Sequence, residues 1–243
     1  MQLSGQGDAS GATKAAGERS TEILRSHQPL RIVLVALTFV TGLIDAASYL
    51  GLGHIFTANM TGNIVLLGFA LAGAGQVSIV ASLLSLAAFL AGAADGGRLT
   101  RILEATGNRW VVTILALESG LVIVAAILAA LPTRAVDDII VVLLALAMGA
   151  RNATVRRIAV PDLTTTVLTL TLTGLAADTQ FPGGGASAIG RRVAAVVAMV
   201  AGALVGALLL RIGLVAPLAT AAVIVLLVTT IYVVSERRAL RSA

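Results

Sequence analysis

The sequence predicts an all-α membrane protein, a bundle of six membrane-crossing helices with two further re-entrant or broken apolar segments, built as an inverted internal repeat. Three observations predict it. Hydrophobic residues make up 58% of the 243 positions and charged residues 12%, against about 25% charged in soluble domains, and the mean hydropathy is +0.98. The apolar residues fall into runs near the ~20 positions that a helix needs to cross a bilayer. Arg and Lys gather at alternate ends of those runs, as positive residues do on the cytoplasmic side. Soluble enzymes, disordered scaffolds and collagen-like chains are thereby excluded, and the pI of 10.9 reads as membrane orientation rather than nucleic-acid binding. The chain has no cysteine, which rules out disulfides, thiolate nucleophiles and cysteine metal sites.

Residues 1–29 are polar, rich in Gly, Ser and Ala, and lack a signal-peptide core; they read as a disordered cytoplasmic tail. Residues 30–236 read as one membrane domain, with apolar segments at 31–50, 55–75, 77–97, 110–131, 138–157, 163–177, 193–210 and 213–234. Residues 237–243 form a basic cytoplasmic end. Two segments depart from ordinary spans. The second carries Asn59, Thr61, Gly62 and Asn63 in its first half, and the short sixth carries Thr164, Thr165, Thr166, Thr169, Thr171 and Thr173. If all eight segments crossed, Arg98, Arg101, Arg109, Arg151, Arg156, Arg157 and Arg211 would fall outside; if the second and sixth return to the side they left, only Arg134 and Arg211 do. The positive-inside bias selects the second arrangement, with both termini cytoplasmic.

The two halves, 30–131 and 138–236, resemble each other. A slide of about 107 positions places Gly42 on Gly149, Asp45 on Asn152 and the Asn/Thr-rich second segment on the Thr-rich sixth. Gly92 and Gly96 match Gly202 and Gly206. An odd number of spans separates the two starts, so the second repeat is inverted, the architecture common among secondary transporters.

On the first segment Thr38, Thr41, Gly42, Asp45, Ser48 and Tyr49 share a helical face. An ionised Asp inside a membrane costs at least about 2.5–3.5 kcal/mol, so Asp45 is a candidate proton or cation site. The plainer alternative is that it bonds Thr, Ser or Tyr neighbours, or caps the broken second segment. Glu118 ranks second, having no counterpart on the aligned repeat. Asp95 and Arg151 lie nearer the cytoplasmic ends, where snorkelling accounts for both. Asn59, Thr61, Gly62 and Asn63 suit a site that replaces a solute's hydration shell, and equally suit interhelical hydrogen bonding. Asn152, Thr166 and Thr169 are their counterparts in the second repeat. The stretch around Thr169 alternates with period two yet also fits a helical face, so pattern alone leaves its conformation open.

The pairs Gly92/Gly96 and Gly202/Gly206 let helices approach closely, within the monomer in the first instance and through a homodimer in the second. His27 and His54 are isolated and imply no metal. The loop Gly183–Gly185 lacks the Lys and Ser/Thr of a phosphate cradle. No cofactor fingerprint or hydrolase motif occurs, so neither a cofactor nor an enzyme is expected.

The run TGLIDAASYLGLGHIFTANMTGNIVLLG, with its GxxDA followed by FxxNxTGN, resembles the signature of the YoaK family of bacterial membrane proteins. GARNATVRRIAVPDLTTTVLTLTLTGLAAD resembles the second half of that family. The resemblance implies a multi-pass protein of the bacterial plasma membrane and brings no substrate with it. The expected function is a small-solute or ion transporter or permease, with a solute channel of the same build and a non-transporting scaffold as alternatives. The expected partners are the lipid bilayer and an unidentified solute or ion, with no nucleic acid.

Overall fold

A computed structural model describes residues 32–74, 77–103, 109–131, 133–158, 168–177 and 186–242. The expected tail at 1–29, the candidate Thr166 with Thr164 and Thr165, and the Gly183–Gly185 loop lie outside the described residues.

The chain forms α1 (Ile32–Gly51), α2 (Met60–Leu71), α3 (Ile79–Leu103), α4 (Arg109–Leu128), α5 (Asp137–Ile158), α6 (Leu168–Ala177), α7 (Ala186–Leu209) and α8 (Val215–Ser242). Among the described residues six helices, α1, α3, α4, α5, α7 and α8, are long and apolar enough to cross a membrane. The 12 residues of α2 and the 10 of α6 span only about 18 and 15 Å at a rise of ~1.5 Å per residue, well short of ~30 Å of hydrocarbon. Over 168–177 the Thr-rich segment is helical. Helix satisfies the backbone locally, which matters most where water is scarce.

Which helix ends lie together fixes the path of the chain. Leu50 and Leu52 at the end of α1, Ser78 and Ala81 at the start of α3, Leu131 and Thr133 after α4, and Asp137 at the start of α5 line one cavity. A Cβ placed on Gly51 would stand 3.0 Å from Leu214 and 3.2 Å from Leu210, in the turn between α7 and α8. All of these belong to one end of the bundle. The six long helices therefore alternate in direction, residues 52–78 leave and return at that end, and the chain between α5 and α7 starts and finishes at the other.

The most buried helices are α1 and α5, with 72% and 61% of their apolar windows enclosed, against 17% for α7. Leu43, Ile44, Leu144 and Met148 sit in the core between them. Val197, Val200, Leu204 and Leu208 of α7 are apolar and exposed, the pattern of a helix whose outer face is meant for lipid.

Two seams hold the bundle at backbone distance. In one, Gly42 of α1 abuts Met199 and Ala203 of α7, while Gly202 and Gly206 abut Phe39 and Leu43. In the other, Gly149 of α5 abuts Phe89 and Ala93 of α3, while Gly92 and Gly96 abut Leu146 and Ala150. In each seam residue numbers rise together, so α1 runs parallel to α7 and α3 parallel to α5. At Gly42, Gly92, Gly149 and Gly202 an added Cβ would overlap a partner carbonyl oxygen. All four glycines of the two GxxxG pairs are thus engaged inside the monomer, the first of the two roles expected of them.

Candidate functional site

After α1 the chain reverses through Gly53 and His54, both with positive φ (96° and 60°), and residues 55–59 fold back beside the helix they have just left. Asp45 holds this return. The Thr57 N–H donates to Asp45 Oδ1 at 3.2 Å and the Ala58 N–H to the same atom at 2.9 Å. Asp45 is 5% exposed, and its Oδ2 has no hydrogen-bond partner among the described residues. Six residues separate Asp45 from the end of α1, and six separate the start of α3 from Ser85, which bonds the same return segment. Both therefore lie about 9 Å below one end of the bundle.

Asn63 is a clamp on the segment. Its side chain accepts from the Phe56 N–H (2.7 Å) and donates to the Phe56 carbonyl and to Ser85 Oγ (3.2 Å). Ser85 in turn donates to the Phe56 carbonyl at 2.7 Å. Buried backbone polar groups need partners, and Asn63 supplies two of them in one side chain. Asn59 caps α2, its side chain accepting from the Gly62 N–H at 3.3 Å. A Cβ on Gly62 would stand 2.9 Å from the Phe56 ring, so glycine here admits that ring against α2. Phe56 also stacks on Tyr49, with ring centroids 4.8 Å apart.

Between the return segment, α1, α2 and α6 lies a cavity of about 640 Å³, lined among others by Thr41, Asp45, Asn59, Thr61, Gly62 and Thr169. Five of the nine candidate residues are brought together there: Asp45, Asn59, Thr61, Gly62 and Thr169. Asn63 stands behind it as the clamp just described. Asn152 is half-buried on α5 and does not line the cavity.

Glu118 is fully buried, and its partner is Arg151, itself 1% exposed. Arg151 Nε donates to Glu118 Oε1 at 2.9 Å, and Nη2 donates to the same oxygen. Arg151 Nη1 donates to the Leu37 carbonyl (2.8 Å) and to Thr41 Oγ1 (2.7 Å). The expectation that Arg151 snorkels is overturned. Arg156 and Arg157 already occupy the end of α5, five and six positions further on, which places Arg151 about 7.5–9 Å deeper. That spacing was the available signal. Asp95, by contrast, pairs with Arg98 at 3.0 Å on the exposed surface.

A family described as a protein of unknown function (DUF1275) matches residues 33–231. The chain belongs to that family. It is 35% identical over 149 residues to the UPF0700 transmembrane protein YoaK of Bacillus subtilis (strain 168), a match covering 60% of this chain and 65% of that relative. No solved structure matches the chain.

Proposed function

We propose that this integral membrane protein moves a small solute or ion across the bacterial plasma membrane, through a site at the cavity between α1, the return segment, α2 and α6. The observation that carries the reading is the cavity itself: about 640 Å³, between the helices, with a carboxylate, an amide and hydroxyls among apolar walls. Volumes of about 300–1,000 Å³ with a few convergent polar groups are typical of small-molecule sites. Polar groups at the meeting point of interrupted helices are the usual location of transporter sites. The matching seams support an inverted repeat: Gly42 and Gly149, Phe39 and Leu146, Gly92 and Gly202, and Phe89 and Met199 hold equivalent places. The reading is of a carrier rather than an enzyme.

In orientation, the end bearing Arg101, Arg156, Arg157, Arg191 and Arg192 is cytoplasmic, and so are both termini, because basic residues favour that side. The test is thermal unfolding of purified protein against panels of ions, amino acids, bases and organic acids, followed by uptake into vesicles. A solute at a hundredfold excess over its Kd stabilises by about 2.7 kcal/mol. Stabilisation without saturable uptake points to a channel, and failure across every panel sinks the transport reading in favour of a scaffold.

A further inference from the structure

Asp45, Glu118 and Arg151 bring two acids and one base into the core, and each acid has an oxygen without a hydrogen-bond partner among the described residues, Oδ2 and Oε2. We propose that the three act as one unit left with a single negative charge, which takes up one positive charge from the cavity, a proton or an alkali cation, at the unpartnered Oδ2 of Asp45. The proposal rests on the transport site above and names its coupling chemistry. Arg151 is spoken for: all four of its hydrogen bonds run to Glu118, Thr41 and the Leu37 carbonyl. Thr41 and Asp45, one turn apart on α1, both line the cavity. Asp45 Oδ1 is engaged by the Thr57 and Ala58 amides. The carboxylate is thus held in place by donors at one oxygen while the other is buried without a partner among the described residues.

Buried charges in proteins are paired or neutralised, and the other ionisable groups lie away from this depth. Neither α2 nor α6 carries one, and Tyr49 and His54 sit toward the end of α1. On α3 they are Asp95, Arg98 and Arg101, on α4 Arg109, on α5 Asp137, Asp138, Arg156 and Arg157, on α7 Arg191 and Arg192, and on α8 Tyr232, Glu236, Arg237, Arg238 and Arg241, all toward the ends of the spanning segments, with Arg134 and Arg211 in the turns at the end nearer Asp45. Among the described residues, Arg151 is the only buried cationic side chain. Glu118 is a positioning residue here: it does not line the cavity but keeps the guanidinium away from Asp45.

Charge counting gives a test that contact counting does not. Glu118→Gln leaves one acid and one base, so uptake is expected to weaken at least tenfold although Glu118 lies outside the cavity. Removing the pair together, Glu118→Gln with Arg151→Met, leaves Asp45 alone with its charge, and uptake is expected to return to within about threefold of the parent. Asp45→Asn abolishes it.

Two measurements on the purified protein separate the sources. Alkali-cation uptake appears as a rise in unfolding midpoint in NaCl or KCl over N-methylglucamine chloride at equal ionic strength. Proton uptake appears as a protonated-carboxyl infrared band that responds to pH. Either signal, if lost in Asp45→Asn and regained in the double variant relative to Glu118→Gln, supports the proposal. If Glu118→Gln does not fold, retention in a folded double variant together with loss in Asp45→Asn supports it. Neither signal in the parent, a signal indifferent to Asp45→Asn, or loss of the signal in a folded double variant overturns it. Asp45-dependent charge uptake with no solute flux in vesicles would sink the transport reading alone. Solute flux indifferent to Asp45→Asn, alkali cations and pH would sink this inference alone.

Discussion

At the scale of single residues, Asp45 fills the structural role its sequence context offered and keeps one oxygen outside it. One oxygen caps the return segment, and the other faces no donor among the described residues. The two oxygens are told apart by mutation. Asparagine retains an Oδ1 able to accept both amides, whereas alanine strands two buried N–H groups, each worth about 1–3 kcal/mol. Asp45→Asn is therefore expected to keep an unfolding midpoint near that of the parent, and Asp45→Ala to lose about 2 kcal/mol or more. Equal midpoints for the two would show that the cap contributes nothing. Asn63 and Asn59 looked alike in the sequence, both amides beside Gly62, and the structure separates them. Asn63, itself buried, serves both backbone groups of half-buried Phe56, while Asn59 is an exposed helix cap. Asn63→Ala is expected to destabilise by about 1–3 kcal/mol, and Asn59→Ala by about 1 kcal/mol or less, read by thermal unfolding in the same detergent. Asp45 stood out in the sequence because a carboxylate in an apolar run is rare. Its relation to Glu118 and Arg151 did not, because those residues sit on α4 and α5 and meet only through tertiary packing.

At the scale of helices, apolar runs predicted the elements to within a few residues at most ends, since a segment that must satisfy its own backbone in lipid has little choice but helix. The short second and sixth segments were visible from their polar content and from the arginine distribution. What pattern could not supply was which helix each GxxxG face meets, because a small-residue stripe says that something approaches closely and not what. The partners are α1 with α7 and α3 with α5, and they set the expected costs. Gly92→Ala and Gly202→Ala each drive a methyl into a carbonyl across the seam and are expected to cost about 1–3 kcal/mol, as overpacking does. Gly120→Ala has open space around it and should be neutral or stabilising by up to about 1 kcal/mol, given the helix propensity of alanine. If the repeat is real, Gly42→Ala and Gly149→Ala should match each other in cost, and a large difference would count against pseudo-symmetry.

At the scale of the whole molecule, the alternation of the helices and their orientation in the membrane rest on different physics, and one experiment separates them. Alternation follows from geometry: Leu50, Ser78, Leu131 and Asp137 surround one cavity, so the end of α1 and the start of α3 share a side, and the bundle has two distinct faces. Orientation follows only from charge, with Arg98, Arg101, Arg156 and Arg157 at one face and Asp137 and Asp138 at the other, and positive residues favour the cytoplasm. The chain has no cysteine, so single cysteines can be introduced without background. Ile102, 72% exposed near the end of α3, and Ala135, exposed in the turn before α5, report on opposite faces. An impermeant thiol reagent added to intact cells is expected to modify Ala135→Cys and to reach Ile102→Cys only after the membrane is opened. The reverse pattern would leave the alternation standing and turn the protein over, placing the cavity on the cytoplasmic half and the basic face outside. Modification of both positions from the same side would contradict the alternation itself, and with it the return of residues 52–78 on which the geometry of Asp45 depends.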